Sequence, residues 1–273
     1  MITGSIVTYN NSKSEIRNVI SSFLSCKEKV KLFIVDNSKK NSLKTLCNDE
    51  RIEYIFNNAN LGYGAAHNIA FKKAFSIASE YHIVINPDIT FEFSVIDSLY
   101  KKVKNNSSIG LITPKILYPN GQTQFLCKLI PTPYNLIIRR FIPFIKIKEK
   151  INFKYELKFF DYNSEAKVPI LSGCFMFLNT EILKKVNGFD ERFFMYMEDV
   201  DLSRRISEIS DVVFYPSCSI IHTYKKESYY NWKLLIYHLF SAIKYFNKWG
   251  WFFDSKRNKV NSETLENLNY KKI

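Results

Sequence analysis

Asn60-Leu-Gly-Tyr-Gly-Ala-Ala-His-Asn68 opens a helix that continues through Ile69, Ala70, Phe71, Ala74, Phe75 and Ala78, and His82-Ile-Val-Ile-Asn86 follows as a strand. That strand stops at Pro87-Asp88, because proline cannot donate to a central ladder. The same alternation holds upstream. Gly4-Ser-Ile-Val-Thr-Tyr-Asn10 is β-branched and apolar, and Ile16, Val19, Ile20, Phe23 and Leu24 fall on one helix face behind Ser14, the expected N-cap. Lys31-Leu-Phe-Ile-Val-Asp36 reads as a buried strand and Ile52-Glu-Tyr-Ile-Phe56 as a short one. Strands alternating with helices at this spacing predict right-handed crossovers and an α/β fold with a mostly parallel central sheet. Ligands of such sheets lie beyond the carboxyl ends of the strands, where Asn10, Asp36 and Asp88 all occur.

Downstream, the pattern predicts a strand and turn over Ile109 to Tyr118 and a strand over Pro169 to Leu178. Helices are expected over Thr180 to Val186 and Asp199 to Ser207, then a strand over Val212 to Tyr215 and a strand-like Cys218 to Ile221. Between Gln124 and Lys167 the periodicity blurs. Pro131, Pro133 and Pro143 mix there with large apolar residues and with Lys128, Arg139, Arg140, Lys146, Lys148, Lys150 and Lys154, as in an insertion lying over the site or on a membrane. A last helix carries Trp232, Leu235, Ile236, Leu239, Phe240, Ile243 and Phe246 as one stripe, and the polar tail after Phe253 is expected to fray.

With 273 residues, 46% of them hydrophobic and 16% aromatic, the chain can bury one sizeable domain with a C-terminal extension. Five scattered cysteines without a C-x-x-C pair indicate neither a disulfide framework nor a zinc knuckle, which fits a reducing cytoplasm. No secretory leader and no apolar run of about 20 residues is evident. The formal charge of +13 attracts polyanions, among which diphosphate substrates and anionic lipid suit the chain better than nucleic acid, for which it carries no recognition motif.

Taken singly, an Asp at a strand end is an ordinary turn or capping residue. The order is more specific: Ile6-Val-Thr-Tyr-Asn10, Val35-Asp-Asn-Ser38, Asn60-x-Gly-x-Gly-x-x-x-Asn68, Asn86-Pro-Asp88, Gly188-Phe-Asp-Glu-Arg-Phe-Phe and Glu198-Asp-Val-Asp-Leu-Ser-Arg204. Together they resemble the inverting glycosyltransferases of family two, particularly the rhamnosyltransferase-like members, over about Ile2 to Ser228.

The resemblance implies a GT-A fold, with a Rossmann-like nucleotide-binding half over about 1–120, an acceptor-binding half over about 121–228, and an amphipathic helix and tail over 229–273. It implies a nucleotide-diphospho-sugar donor. Asp36 would hydrogen-bond the pyrimidine, with Thr8 and Asn10 lining the same crevice. Gly62 and Gly64 allow close backbone approach to a ligand at a helix N-terminus, or serve only to start the helix.

Asn86-Pro-Asp88 stands where the family has Asp-x-Asp, so Asp88, with Asn86 beside it, would meet Mg²⁺ or Mn²⁺ on the donor diphosphate. Asn86 departs from the stricter pattern and brings no charge. The resemblance places a general base at Asp199, near a helix start where the dipole favours negative charge, and gives Glu198 the acceptor hydroxyl. Asp201 and Arg204 would hold that helix in place, and Ser172-Gly-Cys174 would put small-residue backbone under a bound sugar. His222 matches a position where relatives hold the metal or touch the diphosphate; His67 is expected on a helix surface. Arg192 and Lys225 suit either phosphate or a solvated face.

The expected acceptor is a saccharide or lipid-linked saccharide in cell-surface polysaccharide synthesis. The striped C-terminal helix would pack internally, form a homodimer, or lie on the inner face of the plasma membrane. dTDP-rhamnose is the expected donor, with UDP-hexose or UDP-galactofuranose sharing the same pyrimidine edge. A nucleotidyltransferase would need a Gly-rich basic loop that Ile6 to Ser14 lacks, and a non-catalytic surface-binding protein would leave the acidic pair idle.

Overall fold

A computed structural model describes residues 1–138, 144–223 and 232–271. Arg139, Arg140, Pro143, Lys225 and the expected boundary at 228 lie outside the described residues.

The first half alternates as its pattern predicts: β1 (Ile2–Thr8), α1 (Lys13–Leu24), β2 (Val30–Asp36), β3 (Ile52–Phe56), α2 (Tyr63–Ser76) and β4 (Tyr81–Ile85). The four strands are parallel in the order β3-β2-β1-β4. Every residue of β1 is buried, as in a sheet with helices on both faces. Ser12, rather than Ser14, caps α1: its side chain accepts from the Glu15 N–H while Glu15 reaches back to the Ser12 N–H, a capping box.

The chain continues through β5 (Ile89–Thr90), α3 (Ser94–Lys104), β6 (Ile109–Leu117), α4 (Ile145–Tyr155), β7 (Ala166–Lys167), β8 (Phe175–Asn179), α5 (Thr180–Lys185), α6 (Glu198–Ser207), β9 (Asp211–His222), α7 (Trp232–Trp249) and α8 (Ser255–Asn267). The sheet runs β3-β2-β1-β4-β8-β6-β9-β5, with β7 on β9. β8 is inserted antiparallel between β4 and β6, while β6 and β9 run parallel to each other. Because β8 is reversed, its beginning meets the end of β4: Ile85 pairs with Phe175, and the Asn86 N–H donates to the Cys174 carbonyl at 2.8 Å. The polar break before β8 therefore lies beside Asn86-Pro-Asp88.

Several expectations need correction. The strand expected from Pro169 begins only at Phe175, since Ser172 and Gly173 turn away toward α6. Val212 to Tyr215 and Cys218 to Ile221 belong to one strand, β9, with a register shift opposite Pro114 and Lys115. The 124–167 stretch joins the core through Cys127, Leu129, Ile130, Leu136, Tyr155, Leu157 and Tyr162.

The tail does not fray. Asp254 caps α8 by accepting the Arg257 N–H at 2.9 Å and binds buried Arg204 through two bonds of 2.8 and 2.9 Å. Asn261 also exchanges both amide hydrogen bonds with the Ile130 backbone. These attachments are polar and long-range, so hydropathy along the tail does not reveal them.

One core layer packs α1 and α3 against the sheet through Ile2, Ile16, Phe23 and Leu99. The opposite layer packs α2, α6 and α7 through Phe71, Phe189, Leu202, Tyr245 and Phe246. The cysteines of the described residues are all free, and no helix there is long and apolar enough to cross a membrane.

Candidate active site

Ile6 pairs with Ile34 on one side and Ile85 on the other, so Asp36, Thr8 and the residues after β4 reach the same level at the carboxyl edge. Asp36 closes β2 as a fully buried carboxylate. It accepts from the Tyr54 hydroxyl at 2.5 Å and from the Ser38 N–H at 2.9 Å, and burial followed by the Asp36 contact pushes the Tyr54 phenol upward. Thr8 Oγ1 is buried nearby with no hydrogen-bond partner among the described residues. Asn10 lies exposed at the rim in a left-handed conformation, φ 56°, with its N–H on Ser38 Oγ at 2.8 Å. One strand spacing is about 4.8 Å, which puts Asp36 roughly 10 Å across the sheet edge from the end of β4.

Gly62 serves the chain itself rather than an open space. Its φ is +86°, and a Cβ there would collide with the Phe194 carbonyl oxygen. That oxygen accepts the Tyr63 N–H at 2.9 Å, so the first turn of α2 is docked on the segment leading to Glu198. The Tyr63 hydroxyl then lies 3.0 Å from Asn86 Oδ1 and 2.7 Å from the Gly173 carbonyl. Tyr63 is half-buried, and its ionisation is pushed far up by desolvation first and then by Glu198, Cys174, Asp199 and Asp88. One phenol thus feels all three carboxyl groups of this flank.

Asp88 Oδ1 is buried without a hydrogen-bond partner among the described residues and faces His222 Nε2 at 3.4 Å. β5 pairs Ile89 with His222, which delivers the imidazole from the far side of the sheet. Gln124 sets the ring. Its amide nitrogen donates to the carbonyls of His222 (2.8 Å) and Leu117 (3.3 Å), leaving its oxygen to accept from Nδ1–H at 2.9 Å. Nε2 is then the nitrogen turned toward Asp88, the orientation from which an imidazole can ligate a cation. No group of three His, Cys, Asp or Glu side chains among the described residues forms a complete cation site.

Asp199 Oδ2 accepts the Gly173 N–H at 2.9 Å and Oδ1 accepts the Val200 N–H at 2.8 Å. A Cβ at Gly173 would stand 3.0 Å from the Asp199 Cβ, so glycine is what lets the carboxylate rest on this backbone. Glu198 is buried with Oε2 unpartnered among the described residues, and burial, reinforced by Asp199, raises its carboxyl well above the usual range. Burial, with Asp88 and Asp199 adding, also pushes the Cys174 thiol up to about 12, so it stays neutral.

Asn86, Asp88, Glu198 and Asp199 therefore gather around Tyr63 and Gly173, with His222 against Asp88, while Asp36, Thr8 and Asn10 form the adjoining flank. Sequence reasoning missed Tyr54, Tyr63 and Gln124, none of which belongs to a charged motif. His67, expected on a surface, is fully buried, because α2 seats it against Ser5 of β1. Arg192 is paired with Asp190 at 2.6 Å.

The profile of the family described as glycosyl transferase family 2 matches residues 5–186. The chain belongs to this family. Rhamnosyltransferases are among its relatives. The transferase is 26% identical over 231 residues to the N-acetylglucosaminyl-diphospho-decaprenol L-rhamnosyltransferase of Mycobacterium tuberculosis, covering 79% of this chain and 74% of that one. To the rhamnosyltransferase WbbL of Escherichia coli it is 24% identical over 252 residues, covering 88% and 90%.

Solved structures share its GT-A fold. The mannosyltransferase PcManGT of Pyrobaculum calidifontis, solved with GDP-Man and Mn²⁺, superposes with a TM-score of 0.59 at 13% identity over 89% of the transferase, which spans 64% of that chain. TarS of S. aureus gives a TM-score of 0.59 at 15% identity, covering 97% of the transferase and 70% of that chain.

Proposed function

We propose that the transferase moves a sugar, L-rhamnose from dTDP-rhamnose, with inversion onto a hydroxyl of a saccharide or lipid-linked saccharide during cell-surface polysaccharide synthesis. The observation that carries this reading is the surrounding of the Tyr63 hydroxyl by Asp88, Glu198 and Asp199 at the carboxyl end of β4, next to the buried Asp36. Asp36 accepts the N–H of the pyrimidine, and Thr8 and Asn10 line the nucleoside crevice. Asn86 and Gly62 frame the floor beneath the donor, Asn86 through Tyr63 and Gly62 through the turn that docks α2.

Asp88 Oδ1, a hard oxygen ligand, and His222 Nε2, a borderline nitrogen ligand 3.4 Å away, would hold Mg²⁺ or Mn²⁺, with donor phosphates and water completing the set. When bound, such a cation offsets the negative charge building on the leaving diphosphate. Asp199, held by the Gly173 N–H, takes the proton of the attacking acceptor hydroxyl as general base. Glu198, whose carboxyl keeps its proton to higher pH, donates a hydrogen bond that orients the acceptor. The names of the relatives support the donor sugar and a diphospho-lipid acceptor.

A donor panel tests this: dTDP-rhamnose, UDP-hexoses and UDP-galactofuranose with lipid-linked acceptor, with and without EDTA. Release of dTDP from dTDP-rhamnose, abolished by chelator, with the product anomer opposite to that of the donor, is expected. Turnover of a UDP-sugar alone overturns the donor, and undiminished activity in EDTA overturns the metal.

We also infer that the transferase works on an anionic membrane surface. Trp232, Phe240, Ile243, Phe252 and Phe253 are exposed on and after α7, more large apolar side chain than a free surface ordinarily carries, on a chain with net charge +13. Flotation with anionic vesicles and not with neutral ones is expected. A monodisperse dimer that ignores both vesicles would overturn this placement.

A further inference from the structure

The family match ends at residue 186, before the Glu198–Asp199 pair is reached, and what fixes that pair lies still further along the chain. Tyr196 and Met197, immediately before Glu198, are consecutive left-handed residues with φ of 68° and 70°. Neither is a glycine, so surrounding structure must hold the backbone there. Beside the α2 contact at the Phe194 carbonyl, the segment is held by one helix, α7. Ser241 Oγ donates to the Met195 carbonyl at 2.8 Å, the His238 ring packs on Tyr196 with centroids 5.5 Å apart, and Lys244 Nζ donates to the Arg192 carbonyl at 2.7 Å.

The same helix grips the chain just past the pair. Asp201 is a fully buried carboxylate that takes Lys248 Nζ at 2.6 Å, Trp249 Nε1–H at 2.8 Å and Arg205 Nε at 2.7 Å. The next turn carries Arg204, which is stacked 4.0 Å over the Trp249 ring and bound to Asp254. Asp199 has no slack between these two grips, since its Cβ already lies against Gly173.

The geometry points to α7 as a clamp that sets the position of Glu198 and Asp199, with Ser241, Lys248 and Trp249 as positioning residues. This rests on the reading of Asp199 as the base. A misplacement of about 1 Å in such a group costs about a hundredfold in rate. The donor nucleotide flank at Asp36 receives none of these contacts, so the clamp acts on turnover and leaves donor binding alone.

The test measures kcat, donor KM and Tm in the full-length chain for Ser241→Ala, Lys248→Met, Lys248→Arg and Asp199→Asn. The expected result is a fall in kcat of about ten- to a hundredfold in Ser241→Ala and Lys248→Met, with donor KM within about twofold and kcat largely recovered in Lys248→Arg. If Lys248→Met does not fold, Ser241→Ala decides, because it deletes one hydroxyl. Unchanged kcat in Ser241→Ala, or a loss that disappears when all variants are assayed far below their Tm, overturns the clamp while the base assignment stands. Full transfer by Asp199→Asn removes the base, and the clamp with it.

Discussion

Replacing His82 by Gln should flatten the acid limb of this protein's stability curve. His82 lies fully buried in β4, with Nδ1 2.7 Å from Thr3 Oγ1 and Nε2 2.7 Å from Ser5 Oγ; the same Ser5 hydroxyl lies 2.7 Å from His67 Nδ1. Burial lowers His82 from 6.5 to about 3, and it lowers His67 well below its ordinary value, with a further contribution from His82. Both imidazoles are therefore neutral in the folded chain and take up protons near pH 6.5 only when it unfolds. The unfolded state holds the extra protons in between, so the stability present above pH 6.5 is lost as pH falls toward the folded value.

For His82 alone the gap between 6.5 and about 3, at about 1.36 kcal/mol per pH unit, amounts to about 5 kcal/mol. That rivals the whole stability of a marginal domain, about 5–15 kcal/mol. Between about pH 6 and 4 His82 adds close to one proton's worth of slope, about 1 kcal/mol per pH unit, and His82→Gln should remove it. Urea unfolding across this range reads the slope directly, and the comparison does not depend on how much the substitution costs at neutral pH. Equal slopes for the two proteins would refute the buried-proton argument.

Asp254→Ala strands the buried Arg204 guanidinium and uncaps α8, and urea unfolding should record a loss of about 3–5 kcal/mol for the ion pair and about 1 kcal/mol for the cap; a loss under about 1 kcal/mol would contradict it. Glu198→Gln should raise Tm at pH 8 more than at pH 4 while lowering transfer. The unfolded glutamate ionises above about 4.5, whereas the folded one resists, so rising pH favours unfolding, a penalty that the non-titrating amide abolishes; an equal Tm change at both pH values would show that the carboxyl is not held up. Gln124→Met unhooks the His222 Nδ1–H and should weaken Mn²⁺ binding, read by calorimetry, about 10–100-fold, and unchanged affinity would detach the imidazole from the metal.

Local chemistry alone is enough to place β1, β2, β4 and α2, because each is an apolar run with its own period and a polar stop, and those stops put Asp36 and Asp88 at the ligand edge of a parallel sheet. Glu198 and Asp199 stood out through the order of motifs that carries the family resemblance rather than through periodicity, and they open α6. α3 escaped although Val95, Ile96, Leu99 and Val103 show helical spacing, and α8 escaped because Asp254 and Asn261 attach it through polar bonds to residues far away in the chain. Periodicity reports which face of a segment is buried, and it says nothing of what is buried against it. Only the tertiary structure brings Gly173 to Asp199, through the reversal of β8 between β4 and β6, and likewise Gln124 to His222 and Ser241 to Met195. Those contacts join strand ends and helices whose neighbours are chosen by the packing of the whole chain.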